Sequence, residues 1–175
     1  MLAGSHALSN VAQPARRRPY LILVGTAVLI FGLDHLTKWL VATHIPLGGK
    51  IGANSPISID HVRNSGAAFG LFPQFHWLYL VVAAIVGAYI LYAGRRFGTS
   101  WWRQAVLGLI LGGAVSNGVD RLLYGYVVDF VDVHWWPVFN VADSAIVVGV
   151  LVAVLSFRPR AIDARRRARA HDDDG

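Results

Sequence analysis

The chain of 175 residues contains no cysteine. That excludes disulfides, thiolate metal sites and a cysteine nucleophile, and leaves the compartment open. Glutamate is absent too, so every acidic residue is an aspartate. Soluble helices draw heavily on glutamate as a helix former, and its absence disfavours long solvated helices. Charge is scarce altogether, at 15% of residues, against about 25% in an average soluble domain. Apolar residues take the space, at 55%. The length is that of one compact unit.

The net charge of +6 raises the question of nucleic acid. Its distribution answers otherwise. The basic residues gather in Arg16-Arg17-Arg18, in Arg95-Arg96 with Arg103, and in residues 158–169. Each cluster flanks an apolar run, as in loops held on the cytoplasmic side of a membrane. No aromatic and basic surface is left over for RNA or DNA.

About 20 apolar residues cross the hydrocarbon core as a helix. Residues 20–41, 77–93, 105–119 and 139–157 are the candidate spans, the third weaker and rich in glycine. Trp77, Trp101, Trp102, Trp135 and Trp136 fall near span ends, where amphipathic rings favour the headgroup level. All three basic clusters share one side only if the span number is even and both termini lie on that side. The opposite face then holds two loops, near 43–75 and 121–138, and Asp34, Asp60, Asp120, Asp129, Asp132 and Asp143 fall in or near it. The expected fold is an all-α membrane protein of four transmembrane helices. A small extracytoplasmic β platform is expected around residues 57–62, which alternate apolar and polar. A short interfacial helix or lid is expected over 122–137. The boundaries are a disordered cytoplasmic N-terminus (1–18), the helical domain (19–158) and a basic, then acidic, cytoplasmic tail (159–175).

Ionisable residues beside spans mark function by default. Asp34 and Lys38 sit four apart and can pair across one helix turn, which favours an ion pair anchoring the helix end. Residues 64–70, beginning at Asn64, form a glycine-rich turn or a binding loop. Gly108 and Gly112 make a GxxxG that admits a close neighbouring helix. Asp120 and Arg121 are adjacent, so on a helix they diverge. Arg121 either binds a substrate carbonyl or phosphate or neutralises aspartates.

Asp129 and Asp143 are the strongest pair. The loop between them holds Trp135, Trp136 and Pro137, where the chain can fold back. Two close carboxylates in low dielectric do not both ionise easily. One can activate water while the other, protonated, polarises a carbonyl. The competing reading makes Asp143 a helix N-cap and leaves Asp129 satisfied by an arginine. Asp129, Asp132, His134 and Asp143 could also bind a divalent ion, but His134 has no partner at a metal-helix spacing, which favours an ordinary interfacial histidine. Two further rivals are a small proton-coupled transporter using the aspartates as a relay, and a non-enzymatic membrane scaffold packed through the glycine-rich span.

The segments Asp34-His-Leu-Thr-Lys38, Asn64-Ser-Gly-Ala-Ala-Phe69, Gly112-Gly-Ala-Val-Ser-Asn117-Gly-Val-Asp120-Arg121, Tyr126-Val-Val-Asp129-Phe130 and Phe139-Asn140-Val-Ala-Asp143-Ser144 follow one another in this order. Together they resemble the motifs of the bacterial lipoprotein signal peptidase, signal peptidase II, over residues 20–157. The resemblance implies an aspartic endopeptidase of the bacterial cytoplasmic membrane, with both termini cytoplasmic and the site facing outward. It implies a prolipoprotein substrate bearing diacylglyceryl on its lipobox cysteine, cut just before that cysteine. Asp129 and Asp143 match the catalytic dyad. Asn64, Asn117, Arg121 and Asn140 match residues lining the substrate site, and Asp34, Lys38 and Asp120 match supporting positions. Membrane lipids are the other partner, a monomer suffices, and neither an organic cofactor nor a metal is implied. His35 stands where the family often has glutamine, and Ser116 where it often has glycine. Neither is expected to touch the dyad.

Overall fold

The computed structural model describes residues 18–66, 76–94 and 100–156. The remaining residues include Ala67 to Gly70 of the glycine-rich segment, Arg95 and Arg96, and both chain ends, so the expectations placed there lie outside the described residues.

Apolar runs become helices because a helix satisfies its own backbone polar groups, which lipid cannot do. The first run forms α1 (Arg18–His44), the second α2 (His76–Gly94), the third α3 (Trp101–Tyr124) and the last α4 (Val141–Ser156). α3 extends beyond its apolar core at both ends and stops where Gly125 takes the left-handed conformation, φ 77°, with its N–H donating to Arg121 O. An L side chain at that φ would be strained. Two helices, over Leu21–His44 and Trp101–Tyr124, are long and apolar enough to cross a membrane; Leu80–Tyr92 and Val141–Ser156 are shorter apolar helices.

α3 is the central helix, packed against α1, α4 and α2. Its glycines allow this. A Cβ on Gly108 would lie 2.6 Å from Leu23 O, and one on Gly112 would lie 2.6 Å from Ala27 O, both on α1. Gly113 faces Ala142 and Ile146 of α4 in the same way.

The burial pattern is inverted relative to a soluble domain. Leu21, Val28, Leu29, Val81, Ile85, Val147, Leu151 and Val154 are exposed. Asp34, Lys38, Asp120, Asn117, Ser116 and Asn140 are buried. A water-soluble protein keeps such charges outside, whereas a helix bundle in lipid turns them inward.

The outer loops build a three-stranded antiparallel sheet in the order β1-β2-β3, with β1 at Lys50–Ile51, β2 at Ser58–Asn64 and β3 at Val127–Asp132. The platform expected near 57–62 is β2. The interfacial helix expected over 122–137 is not there: residues 122–124 end α3, and β3 and a turn follow. The segment's apolar residues pair with β2 along Asn64↔Val127 to Ser58↔Asp132, a partnership invisible to local pattern. Val131 then bridges Phe139, which folds the chain back. His134 sits in that turn at φ 66°, its N–H held by Asp132 Oδ1 at 2.7 Å. Lys50 ties the sheet across, 3.0 Å from Asp60 and 2.8 Å from Asp132. Lys50 and the His134 N–H hold the Asp132 carboxyl down at about 2, and Asp132 with Asp60 raises the Lys50 ammonium.

Candidate active site

β3 carries Asp129 to the top of the bundle, and α4 begins beneath it. Asn140 joins the two. Its side-chain N–H donates to Asp129 Oδ1 at 2.7 Å. Its Oδ1 accepts the Asp143 N–H at 2.9 Å, while Asp143 Oδ2 accepts the Asn140 N–H at 3.2 Å. This is a reciprocal capping box, which satisfies orphan donors at a helix start. The N-cap of α4 is therefore Asn140, with Asp143 three residues on, rather than Asp143 itself as the competing sequence reading had it. The spacing Asn-x-x-Asp was the available signal.

Asp129 is 2% exposed. Its second oxygen accepts from Asn64 Nδ2 at 2.9 Å, and Asn64 Oδ1 in turn accepts the Gly66 N–H. Among the described residues, the hydrogen-bond partners of Asp129 are the amides of Asn64 and Asn140, not an arginine. Burial first, and the charge of Asp143 second, push the Asp129 carboxyl up from 3.8 to about 7. The two amides, which favour the ionised form, oppose this without overcoming it.

Asp143 Oδ1 accepts from Asn117 Nδ2 at 2.8 Å. The other end of that amide, Oδ1, accepts from Lys38 Nζ at 2.8 Å and from Asn140 Nδ2 at 3.2 Å. An ammonium only donates, so Lys38 fixes which end of Asn117 faces Asp143. Lys38 is held between Asp34 at 2.5 Å and Asp120 at 2.6 Å. The anchoring pair expected between Asp34 and Lys38 is thus present, with Asp120 as a third member. Asp34 Oδ1 also accepts the Ala142 N–H at 2.9 Å, which locks the first turn of α4 to α1.

Arg121 diverges from Asp120. Its guanidinium donates to Gly66 O at 3.1 Å and to Asn117 O at 3.3 Å. Three cavities meet at these residues. One of about 330 Å³ is lined by Arg63, Asn64, Asp129 and Pro137. A second, about 220 Å³, is lined by Asn64, Arg121, Asp129, Trp136 and Asp143. The third, also about 220 Å³, runs between helices past Val82, Ala83, Ile110 and Ile146 to Asn117, Arg121 and Asp143. Asp132 and His134 do not join Asp129 and Asp143. They contact Lys50 and Ser55 O on the platform, so the four-residue metal grouping is not assembled. Lys50 is the platform residue that sequence reasoning missed; a lone lysine among outer aspartates was its signal.

The fold and this arrangement define a class: an apolar helical bundle whose paired carboxylates are joined by one asparagine beside shared cavities. Comparison with known proteins narrows it. The model of the family Signal peptidase (SPase) II matches residues 26–158. The Lipoprotein signal peptidase of Syntrophomonas wolfei is 38% identical over 147 residues, covering 83% of this chain and 96% of that protein. The Lipoprotein signal peptidase of Mycolicibacterium smegmatis is 41% identical over 170 residues, covering 93% and 71%. A solved bacterial membrane enzyme superposes with a TM-score of 0.71 at 27% identity, covering 77% of this chain and 86% of that one.

The chain belongs to the signal peptidase II family. It is an aspartic protease that cleaves signal peptides from lipoprotein precursors, and it is a membrane protein. None of these relatives supports the transport alternative.

Proposed function

We propose that Asp129 and Asp143 are the catalytic pair of this protease. The observation that carries the reading is Asn140, which donates to one carboxylate and caps the helix turn that holds the other. Asp129 is 2% exposed and Asp143 half-buried, so this reading puts the shared proton on Asp129, the acid, and makes Asp143 the base at neutral pH. Asp143 takes a proton from water, whose oxygen attacks the scissile carbonyl carbon. Asp129 donates to the carbonyl oxygen. Collapse of the tetrahedral intermediate then breaks the C–N bond as the amine leaves with a proton from the pair. Asn64, Asn117 and Arg121 line the substrate side; Asn140, fully buried and outside the cavities, positions the two aspartates instead of touching substrate, and Asp34, Lys38 and Asp120 support them.

The substrate in this reading is a prolipoprotein already carrying diacylglyceryl on its cysteine, cut just before that residue. Its acyl chains stay in lipid while the scissile bond reaches the cavities at the bundle end. The protein is a monomer with four spans in a bacterial cytoplasmic membrane, both termini inside and the site facing out. α2 and α4 have 19 and 16 residues. At 1.5 Å per residue they cover about 28 and 24 Å of a hydrocarbon core about 30 Å thick, and their outward residues are apolar.

The test is cleavage of purified prolipoprotein, with and without the diacylglyceryl group, resolved by gel shift. The parent enzyme cuts only the lipidated form. Asp129→Asn and Asp143→Asn each lower the rate by at least about a thousandfold, as loss of a member of a concerted pair does, while remaining in the membrane fraction. Substantial turnover by either variant refutes the pair.

A further inference from the structure

His35 and Ser116, 81 residues apart in sequence, meet in space. His35 lies on α1 and Ser116 on α3, and His35 Nδ1 is 3.0 Å from Ser116 Oγ. Ser116 is fully buried and donates its hydroxyl proton to Asp34 Oδ2 at 2.7 Å. A carboxylate only accepts, and a hydroxyl has one proton to give. The proton between Ser116 and His35 is therefore on Nδ1, which also lies 3.1 Å from Phe31 O. The ring stacks on Phe31, centroids 4.1 Å apart, and turns Nε2 toward Asp120 Oδ1 at 3.4 Å. Ser116 thus donates to Asp34 Oδ2, the oxygen that also meets Lys38, and His35 Nε2 lies beside Asp120 Oδ1, the oxygen that Lys38 leaves free.

From there the path to Asp143 is short. Lys38 orients Asn117, and Asn117 donates to Asp143. Asp34 also fixes Ala142, the residue before Asp143, through its backbone N–H. Two carboxylates facing one ammonium in low dielectric leave lone pairs that need donors. Without them Lys38 follows whichever aspartate moves, and Asn117 moves with it.

We propose that His35 and Ser116 are positioning residues for peptide cleavage, acting as one unit that fixes the Asp34–Lys38–Asp120 cluster behind Asn117 and Asp143. The inference rests on the reading of Asp143 as a member of the catalytic pair. It predicts an effect on turnover, not on substrate affinity, since neither residue lines the cavities at the site.

The experiment measures kcat, KM and melting temperature of the purified full-length enzyme on lipidated prolipoprotein. The variants are Ser116→Ala, His35→Phe, their double, His35→Gln, and Asp143→Asn as control. Ser116→Ala and His35→Phe each lower kcat roughly threefold to tenfold, the range expected for one buried hydrogen bond. KM stays within about twofold, because an interaction felt mainly in the transition state is lost. The double variant is no worse than the weaker single, since both act through one cluster. His35→Gln, which restores an amide donor, recovers part of the loss. Parental kcat in both single variants overturns the inference, as do losses confined to KM or losses that multiply in the double. A lowered melting temperature with parental kcat below the transition also overturns it, because the pair then serves stability alone. Activity in Asp143→Asn sinks the reading of the pair itself, whatever His35 and Ser116 do.

Discussion

As the proposed acid, Asp129 would couple stability to turnover in a single residue. Its carboxyl stands at about 7 in the folded protein against 3.8 ordinarily. A folded value above the unfolded one means that the native state binds the proton more tightly. Its stabilising contribution is complete below 3.8, declines as pH rises and is gone above about 7. The full span corresponds to up to roughly 4 kcal/mol. Asp129→Asn removes this charge but surrenders one of the two amide donors, a loss of about 1 kcal/mol. Melting of the variant relative to the parent should therefore improve steadily between pH 4 and 7 and level off above. A difference independent of pH would show that Asp129 is not held in a desolvated site. Turnover follows the same proton: the rate falls as pH rises through about 7, where the acid is lost. Asn64→Ala removes a donor that favours the ionised carboxylate, so the alkaline limb moves to higher pH in that variant. A limb that moves down, or stays, separates Asn64 from the proton. Sequence alone made Asp129 and Asp143 prominent because carboxylates beside apolar runs are rare. It did not make His35 and Ser116 prominent, since 81 residues separate them and nothing local announces their meeting.

At the level of elements, apolar runs and turn residues were legible and nonlocal pairing was not. All four helices lie where the apolar runs placed them, with ends shifted by a few residues. β3 escaped because Val127-Val-Asp-Phe-Val-Asp132 lacks clean alternation; both Asp129 and Phe130 are buried in it. Its conformation is dictated by β2, which lies far away in sequence. The GxxxG of α3 was read as a packing surface and is one, against α1. That contact matters for chemistry, because α1 carries Asp34 and Lys38 to the site. Gly112→Ala places a Cβ 2.6 Å from Ala27 O and 2.9 Å from Ala27 Cα. Backbone atoms cannot swing aside, so the helices must part, at about 1–3 kcal/mol. Gly32→Ala on α1 is the matched control, with nothing within 4 Å of the new Cβ. We expect Gly112→Ala to lower both melting temperature and cleavage rate, and Gly32→Ala to leave both near the parent. Equal behaviour of the two would mean that α1 and α3 are not in close contact.

Across the described residues, the buried aspartates gather at one end of the bundle. Asp34, Asp120, Asp129 and Asp143 are drawn into one network with Lys38 at the end where the sheet sits. The basic clusters flank the other ends of the spans in sequence, which is the pattern of loops retained inside. In the proposed orientation the aspartates face outward and the basic loops stay inside, so function and orientation would follow from the same asymmetry. The absence of cysteine makes the orientation directly measurable, because an introduced thiol is the only one present. Ala53→Cys lies in the exposed turn between β1 and β2. In right-side-out membrane vesicles it should react with a membrane-impermeant maleimide. Gly98→Cys, between α2 and α3, and Ala170→Cys, after α4, should react only once the vesicles are opened. Protection of both, with labelling at residue 53, requires a crossing by α2 and an even number of crossings between residues 98 and 170, with the platform outside. Labelling of residue 98 in sealed vesicles would instead put α2 on the surface rather than through the bilayer, and the substrate would then have to reach the aspartates by another route than lateral diffusion between helices.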